Sequence, residues 1–370
     1  MKIAYVIDSL VLGGAQKHLV QLVRGMRARG HEAFVYCLND KVHPQRRAEL
    51  VAAGATVRVI GKVRVACGAA VFELAAAMRR EKMDVAVTLL FVSNVVGRLA
   101  ARLAGVPTVA CLQARNINFQ GWRRVLLRIT SGFNSYTISN SRAAIDFAAK
   151  HEGVDPARCQ YVPNAIDVPV DLLPPPDWTI WGWPQLVGRR VIGSVGRLVS
   201  QKGYDVLLNA FGTLAAKNAD LSLLLVGAGP TAALAAKAEA LGLNGKVVFA
   251  GEHDNVPALL PGLTLYVQPS RFEGMPNALM EAMAATLPVV ASSVDGIAEL
   301  ISDGVDGWLV PPADATALAT ALKRTLDDAP GSEKMGLRAR RTVIERFSPE
   351  QMIAAYEEIL GRACLRRASP

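Results

Sequence analysis

Strand-length apolar runs alternate with helix-period segments along the whole chain, and the alternation breaks off once and then begins again. In the first half the runs fall at residues 3–7, 33–38, 57–60, 85–89, 108–112 and 136–138, with helical pattern between most of them, beginning at 15–29. In the second half they fall at 191–195, 221–226, 247–250, 263–267, 289–291 and 308–310. Runs this uniformly apolar suit strands covered on both faces, and the intervening helices supply the crossovers that parallel strands require. The chain therefore reads as α/β, with two Rossmann-like doubly wound domains facing across a cleft. Its 370 residues, 51% of them apolar, suffice for two separate cores.

The break lies at 163–188, where Pro174-Pro175-Pro176 and the indoles of Trp178, Trp181 and Trp183 replace periodic sequence. Proline fixes φ and removes an N–H donor, so this stretch reads as a linker. Its tryptophans either pack the linker onto the domain flanks or contact an acceptor. The expected organisation is an N-terminal domain at 1–165, a linker at 166–188 and a second domain at 189–348. A last helix, opened by Ser348-Pro349-Glu350 and placed at 349–366, has no strand after it and can pack back onto the first domain.

Charge divides unevenly: residues 1–175 carry 23 Lys and Arg against 12 Asp and Glu, net +11, whereas 176–370 carry 18 against 20, net −2. The basic half should seek an anionic partner, and no nucleic-acid motif accompanies it, so nucleic acid is not expected. No apolar run reaches the roughly 18 residues of a membrane span. Asp8 interrupts the first apolar run, which reads as a strand rather than a signal sequence. Cys37, Cys67, Cys111, Cys159 and Cys364 are odd in number, far apart and set mostly in apolar surroundings, the pattern of buried thiols in a reducing, cytoplasmic compartment.

Chemistry concentrates after the run at 263–267. Gly274 and Pro276 punctuate a turn there, and from Asn277 a helical period turns Leu279, Met280 and Met283 inward. Glu273 thus sits on a loop at a helix N-terminus, beside Gly274, Met275, Pro276 and Asn277. Glu281 lies on a helix otherwise made of Ala, Leu and Met, where a carboxylate needs a partner, and a bound polyol would supply one. At the head of the second domain, the run at 191–195 leads into Gly196-Arg197-Leu198-Val199-Ser200-Gln201-Lys202-Gly203. Arg197 and Lys202 would meet a diphosphate there, the arginine in a bidentate fork; a solvated basic loop is the plainer alternative. Carboxylates for sugar hydroxyls and cations for phosphates make one consistent site.

Other motifs are less specific. Gly13-Gly14 before the first helix would let backbone N–H groups approach an anion or a sugar, or simply make a tight turn. Gly227-Ala228-Gly229-Pro230-Thr231-Ala232 resembles a dinucleotide fingerprint, but it follows the second strand of its domain and its acid, Glu252, lies 25 residues past Gly227. His253, Asn255 and Val256, at another strand end, could present backbone groups to a nucleobase, although His253 is equally an ordinary loop histidine. Trp122, Arg123, Arg124 and Arg128 interleave with leucine and isoleucine at helical spacing, a pattern that suits a lipid interface or a half-buried helix. There is no Asp-x-Asp motif and no His/Cys cluster at ligand spacing, so no metal is expected.

In order along the chain, Gly13-Gly14, Pro163-Asn164-Ala165-Ile166-Asp167, Gly193-Ser194-Val195-Gly196-Arg197-Leu198, Gln201-Lys202-Gly203, Gly227-Ala228-Gly229-Pro230 and Glu273 with Glu281, separated by seven residues, resemble the retaining family 4 glycosyltransferases of GT-B fold. The resemblance spans residues 2 to about 362. It implies transfer of a sugar, with retention, from a nucleotide-diphosphate donor to an acceptor hydroxyl; no cofactor is implied, since the nucleotide-sugar is a substrate and metal is usually dispensable. It assigns the diphosphate to Arg197 and Lys202, the sugar hydroxyls to Glu273, the ribose to Glu281, and the phosphates and acceptor to the loop at Gly13 and Gly14. A UDP-sugar is the favoured donor on family frequency.

Many members carry a histidine after the strand at 108–112, where this chain has Gln113-Ala114-Arg115-Asn116. That segment resembles a subset acting on polyprenyl-diphosphate-linked sugars, and an anionic lipid carrier would also account for the basic first domain. The expected protein is an enzyme of bacterial polysaccharide or lipid-linked glycan assembly, cytoplasmic and peripheral on the inner face of the cell membrane, with a glycan or polyprenyl-diphosphate-linked acceptor and an anionic membrane surface as partners. A nucleotide-sugar epimerase of the same fold and a non-catalytic nucleotide-sugar-binding protein are the alternatives.

Overall fold

In the first half of the chain, β1 (Lys2–Ile7), β2 (Glu32–Cys37), β3 (Thr56–Val59), β4 (Val85–Leu89), β5 (Thr108–Leu112), β6 (Tyr136–Ser139) and β7 (Cys159–Tyr161) pair in the order β3-β2-β1-β4-β5-β6-β7, each neighbour parallel. In the second half, β8 (Arg190–Val195), β9 (Leu221–Val226), β10 (Val247–Gly251), β11 (Leu265–Gln268), β12 (Val289–Ser292) and β13 (Trp308–Val310) pair in the order β10-β9-β8-β11-β12-β13, also parallel. The computed structural model describes residues 1–115 and 120–368. It divides into two units, one of Met1–Ala165 with the chain from Pro349 onward, the other of Ile166–Ser348. Both are Rossmann-like, doubly wound sheets.

Strand periodicity sets the cores. Ile3, Tyr5 and Ile7 of β1 face one apolar cluster of the first unit, while Ala4 and Val6 face a second cluster on the opposite side of the sheet. The helix Gly14–Ala28 buries Leu19, Leu22, Val23 and Met26 at helical spacing in the first of these clusters. The C-terminal helix, Pro349–Ala368, joins the same cluster through Met352, Ile353, Tyr356, Ile359 and Leu360.

Some local details differ from the sequence reading. The three-residue β7 is too short to stand out from its surroundings as an apolar run. The strand expected at 263–267 begins at Leu265, because Leu260–Gly262 forms a 3-10 turn that ties the Leu263 N–H to the Leu260 carbonyl at 2.9 Å. The stretch from Ile166 belongs to the second unit, where Trp178 and Trp183 are buried and Trp181 stacks on Trp183 with centroids 6.0 Å apart. All five cysteines are free; Cys37 and Cys111 are buried, but Cys67 is exposed, at the end of the short helix Lys62–Ala66.

His18 and Tyr356 join the first helix to the last. The imidazole Nε2 lies 3.0 Å from the phenol oxygen, which in turn lies 3.6 Å from Cys111 Sγ, all buried. Burial pulls the His18 pKa down to about 4, because the charged imidazolium would lose its hydration. The unfolded chain then binds a proton that the folded chain refuses, so stability should fall as pH drops from the ordinary histidine range near 6.5 toward 4. That loss is on the order of 3 kcal/mol for a shift of this size. In urea titrations across this window His18→Gln should flatten the slope relative to wild type; identical slopes would show that His18 contributes nothing.

Candidate active site

In each sheet the strand order reverses once, between β1 and β4 in the first unit and between β8 and β11 in the second. At such switch points the loops leaving the strand carboxyl ends diverge and open a ligand crevice. In the second unit these are the loops that carry Arg197 and Lys202, after β8, and Glu273, after β11.

Several bonds stitch the two loops together. The Arg271 guanidinium grips Asp205 through both nitrogens, at 2.8 and 2.7 Å, and also donates to the Ser200 carbonyl at 2.8 Å. The Arg271 N–H donates to Gln201 O at 2.8 Å, and the Gln201 side chain donates to Phe272 O at 3.1 Å. Gly203, with φ +68, sits so close to the 269 peptide that an added Cβ would fall 2.0 Å from Pro269 O. Only glycine fits that approach. The Arg271 pairing also holds the Asp205 carboxyl below its ordinary range.

This stitching brings Lys202 Nζ onto Glu273 Oε1 as a direct ion pair between side chains only 13% and 8% exposed. The same oxygen accepts from Ser270 Oγ at 2.8 Å and Gln268 Nε2 at 3.3 Å. Beneath them Tyr266 OH donates to Gln268 Oε1 at 2.8 Å, which fixes the amide's orientation. Three donors converge on Oε1, and Oε2 has no hydrogen-bond partner among the described residues. The carboxylate is held rigid with one oxygen available as an acceptor, while the ammonium has further donors to offer. Arg197 is exposed on the same loop and makes no ion pair among the described residues. Glu281 is buried on the helix Asn277–Ala284, whose Leu279, Met280 and Met283 point into the core. Pro276 caps that helix, and Gly274 and Met275 are buried just before it.

Gly227 and Gly229 have a local reason to be glycine. Their φ angles are +148 and +142, and a Cβ on either would strike the Gly196 or Leu198 carbonyl, at 2.1 and 2.8 Å. They let β9's end lie against the loop after β8, through Gly196 N to Val226 O at 2.9 Å and Leu198 N to Ala228 O at 2.7 Å. His253 turns its ring inward, with Nε2 3.0 Å from Ala250 O, and packs edge-on against Trp183 at 5.1 Å. Asn255 is exposed and Val256 is half-buried.

In the first unit, Gly13 precedes the helix beginning at Gly14, and that helix has no acidic residue in its first turn and no side-chain cap. Gln113 accepts from Asn140 Nδ2 at 3.3 Å, and Asn140 also donates to Asn164 Oδ1 at 3.2 Å, so the ends of three neighbouring strands are linked. Arg115 is half-buried; Asn116 lies outside the described residues. On the helix Trp122–Ser131, Leu127 and Thr130 turn inward, whereas Trp122, Val125 and Ile129 are 64%, 53% and 65% exposed. Arg123, in cation–π contact with Phe91 and Trp122, and Arg128 are also exposed; Arg124 is half-buried against Phe147.

Gln268, Ser270 and Asp295, which shape this site, were not singled out from sequence. A signal existed for the first two: Tyr266, Gln268 and Ser270 recur at period two at the end of an apolar strand, which puts three polar side chains on one buried face.

Residues 189–328 match the family described as glycosyl transferases group 1, and residues 12–169 match glycosyltransferase family 4. The 2-deoxystreptamine glucosyltransferase of Streptomyces kanamyceticus is 31% identical over 301 residues, covering 72% of this chain and 74% of that one. The chain belongs to glycosyltransferase family 4. This family 4 chain is also 33% identical, over 48% of its length and 53% of the relative's, to the lipopolysaccharide core mannosyltransferase LpcC of Rhizobium leguminosarum bv. viciae. Among solved structures, Anabaena HepE in complex with UDP-glucose matches 98% of this glycosyltransferase and 100% of its own chain, with a TM-score of 0.87 at 23% identity. The fold is GT-B. Among the described residues, no helix is long and apolar enough to cross a membrane.

Proposed function

We propose that this glycosyltransferase moves a hexosyl group from a UDP-sugar, with retention and without a metal, to a hydroxyl of a lipid-linked glycan at the cytoplasmic face of the membrane. The observation that carries the donor half is the convergence of Lys202, Ser270 and Gln268 on one oxygen of Glu273 at the switch point of the second sheet. The other Glu273 oxygen accepts a donor-sugar hydroxyl, and Lys202 and Arg197 face the diphosphate. Glu281 takes the ribose, and the backbone after β10, at His253, Asn255 and Val256, flanks the base. As the bond between the anomeric carbon and phosphate breaks, its electron pair leaves with UDP, the acceptor oxygen bonds the same carbon on the same face, and the hydroxyl proton passes to the departing phosphate oxygen. The two cations and the N-terminus of the helix Asn277–Ala284 stabilise the charge that grows on the phosphate. HepE, crystallised with UDP-glucose, supports the UDP donor, and relatives named as gluco- and mannosyltransferases support transfer of a hexose.

The acceptor half rests on the helix Trp122–Ser131. Trp122, Val125 and Ile129 form an exposed apolar stripe flanked by Arg123, Arg124 and Arg128, which suits burial at an anionic headgroup boundary. Gln113, Arg115 and Asn116 supply polar contacts to the carrier.

Radiolabelled UDP-hexoses, incubated with and without polyprenyl-diphosphate-linked saccharides, test the reaction. Transfer should require the acceptor and survive chelation by EDTA; conversion of donor alone would mean an epimerase, and binding without turnover a sensor. Anionic liposomes at low salt should bind the protein at least about tenfold better than neutral ones, and reversing Arg123, Arg124 and Arg128 to glutamate should remove that preference. Equal binding to both liposomes would sink the membrane placement.

A further inference from the structure

Asp295 opens the short helix Asp295–Leu300 with φ +39, a left-handed backbone that non-glycine residues rarely adopt. Its Oδ2 accepts the main-chain N–H of Glu273 at 3.1 Å, across 22 residues of sequence. The next residue, Gly296, lies so close to the Glu273 loop that an added Cβ would fall 2.1 Å from Gly274 O. Strain of this kind persists where the surroundings hold it, and here the surroundings are the loop of the candidate catalytic carboxylate. An acidic residue in a helix's first turn is favoured by the helix dipole, but that needs no left-handed backbone and no bond to a distant loop.

We propose that Asp295 is a positioning residue for sugar transfer, fixing the Glu273 main chain while Ser270, Gln268 and Lys202 fix its carboxylate. The inference rests on the function proposed above. With both ends held, Glu273 Oε2 stands at one place relative to the donor sugar; without Asp295 the side-chain bonds remain but the loop that bears them is free to shift. A displacement of about 1 Å at such a group can cost on the order of 100-fold in rate.

Two substitutions separate this role from a merely structural one. Asp295→Gly removes the acceptor and also relieves the positive φ, so its melting temperature should stay at or above that of wild type. Its kcat should nevertheless fall by about tenfold to 100-fold, with the dissociation constant for UDP, measured calorimetrically, unchanged. Asp295→Asn keeps an acceptor oxygen and tolerates the same backbone, so its kcat should stay within about threefold of wild type. Wild-type kcat in Asp295→Gly would overturn the inference, as would a loss of activity that merely tracks a loss of stability. Equal loss in Asp295→Gly and Asp295→Asn would also overturn it, because the charge rather than the N–H acceptor would then matter. A wild type that neither binds UDP-sugars nor turns them over would remove the proposed function and this inference together.

Discussion

Lys202→Met should leave the second unit about 3 kcal/mol less stable and the enzyme essentially inactive, while adding Glu273→Gln to it should restore most of the stability and none of the activity. The reason is that the pair is enclosed. With side chains 13% and 8% exposed, neither charge is well hydrated, so removing the ammonium strands a carboxylate whose remaining partners, Ser270 and Gln268, are neutral. Neutralising Glu273 as well removes the stranded charge, and the amide oxygen can still accept from Ser270. On the proposed function activity does not return, because a cation facing the leaving phosphate is worth roughly 10²–10³ in rate and no neutral pair supplies one. Thermal melts and kcat for the two single variants and the double variant complete the cycle. Should Lys202→Met melt like wild type, the ion pair would be a solvated surface contact and the site as drawn here would be wrong.

Much of this site could be read from the sequence because its parts are local signals. Glycine, proline and a helical period around residues 274–283 mark a helix start, and two cations follow a strand run at 191–195. What no local pattern carries is how those loops meet. The bonds between Arg271 and Asp205, Gln201 and Phe272, and Lys202 and Glu273 span 66 to 71 residues, and they depend on β8 and β11 being neighbours although β9 and β10 lie between them in sequence. The ion pair itself was legible only as two separate groups serving opposite ends of a ligand; the fold joins them directly. Asp295 was invisible for a further reason, since a positive φ at aspartate leaves no mark on composition or period.

The glycines divide along the same line. Gly227 and Gly229 fall in a segment that resembles a dinucleotide fingerprint, and each has a sufficient packing reason in the close approach of two backbone segments. The amphipathic helix behaves differently. Its sequence left open whether the apolar residues face inward, and the structure buries Leu127 while leaving Trp122, Val125 and Ile129 in solvent, an arrangement that core packing does not explain.

Deleting the chain from Pro349 onward should unfold the first unit and spare the second, although the deleted segment directly follows the second in sequence. Met352, Ile353, Tyr356, Ile359 and Leu360 are each at most 4% exposed, and all belong to the core built by β1, β2, β4, β5 and the helix Gly14–Ala28. Gly25 marks how tightly the two helices meet: a Cβ there would fall 2.4 Å from Ile353 Cγ1. Glu357 adds an ion pair to Arg29 at 2.5 Å and a hydrogen bond with His31 Nε2 at 2.7 Å. Truncating Ile353 and Leu360 to alanine alone should cost about 2–5 kcal/mol each, a large part of the roughly 5–15 kcal/mol by which a domain is stable. Deletion also uncovers the apolar face of the first helix and the buried His18, whose hydroxyl partner is Tyr356. Limited proteolysis followed by mass spectrometry distinguishes the units: cleavage should spread through residues 1–165 while a fragment covering 166–348 survives. If the fragment lost were the second unit instead, the C-terminal helix would be stabilising the domain it follows in sequence rather than the one whose core it completes.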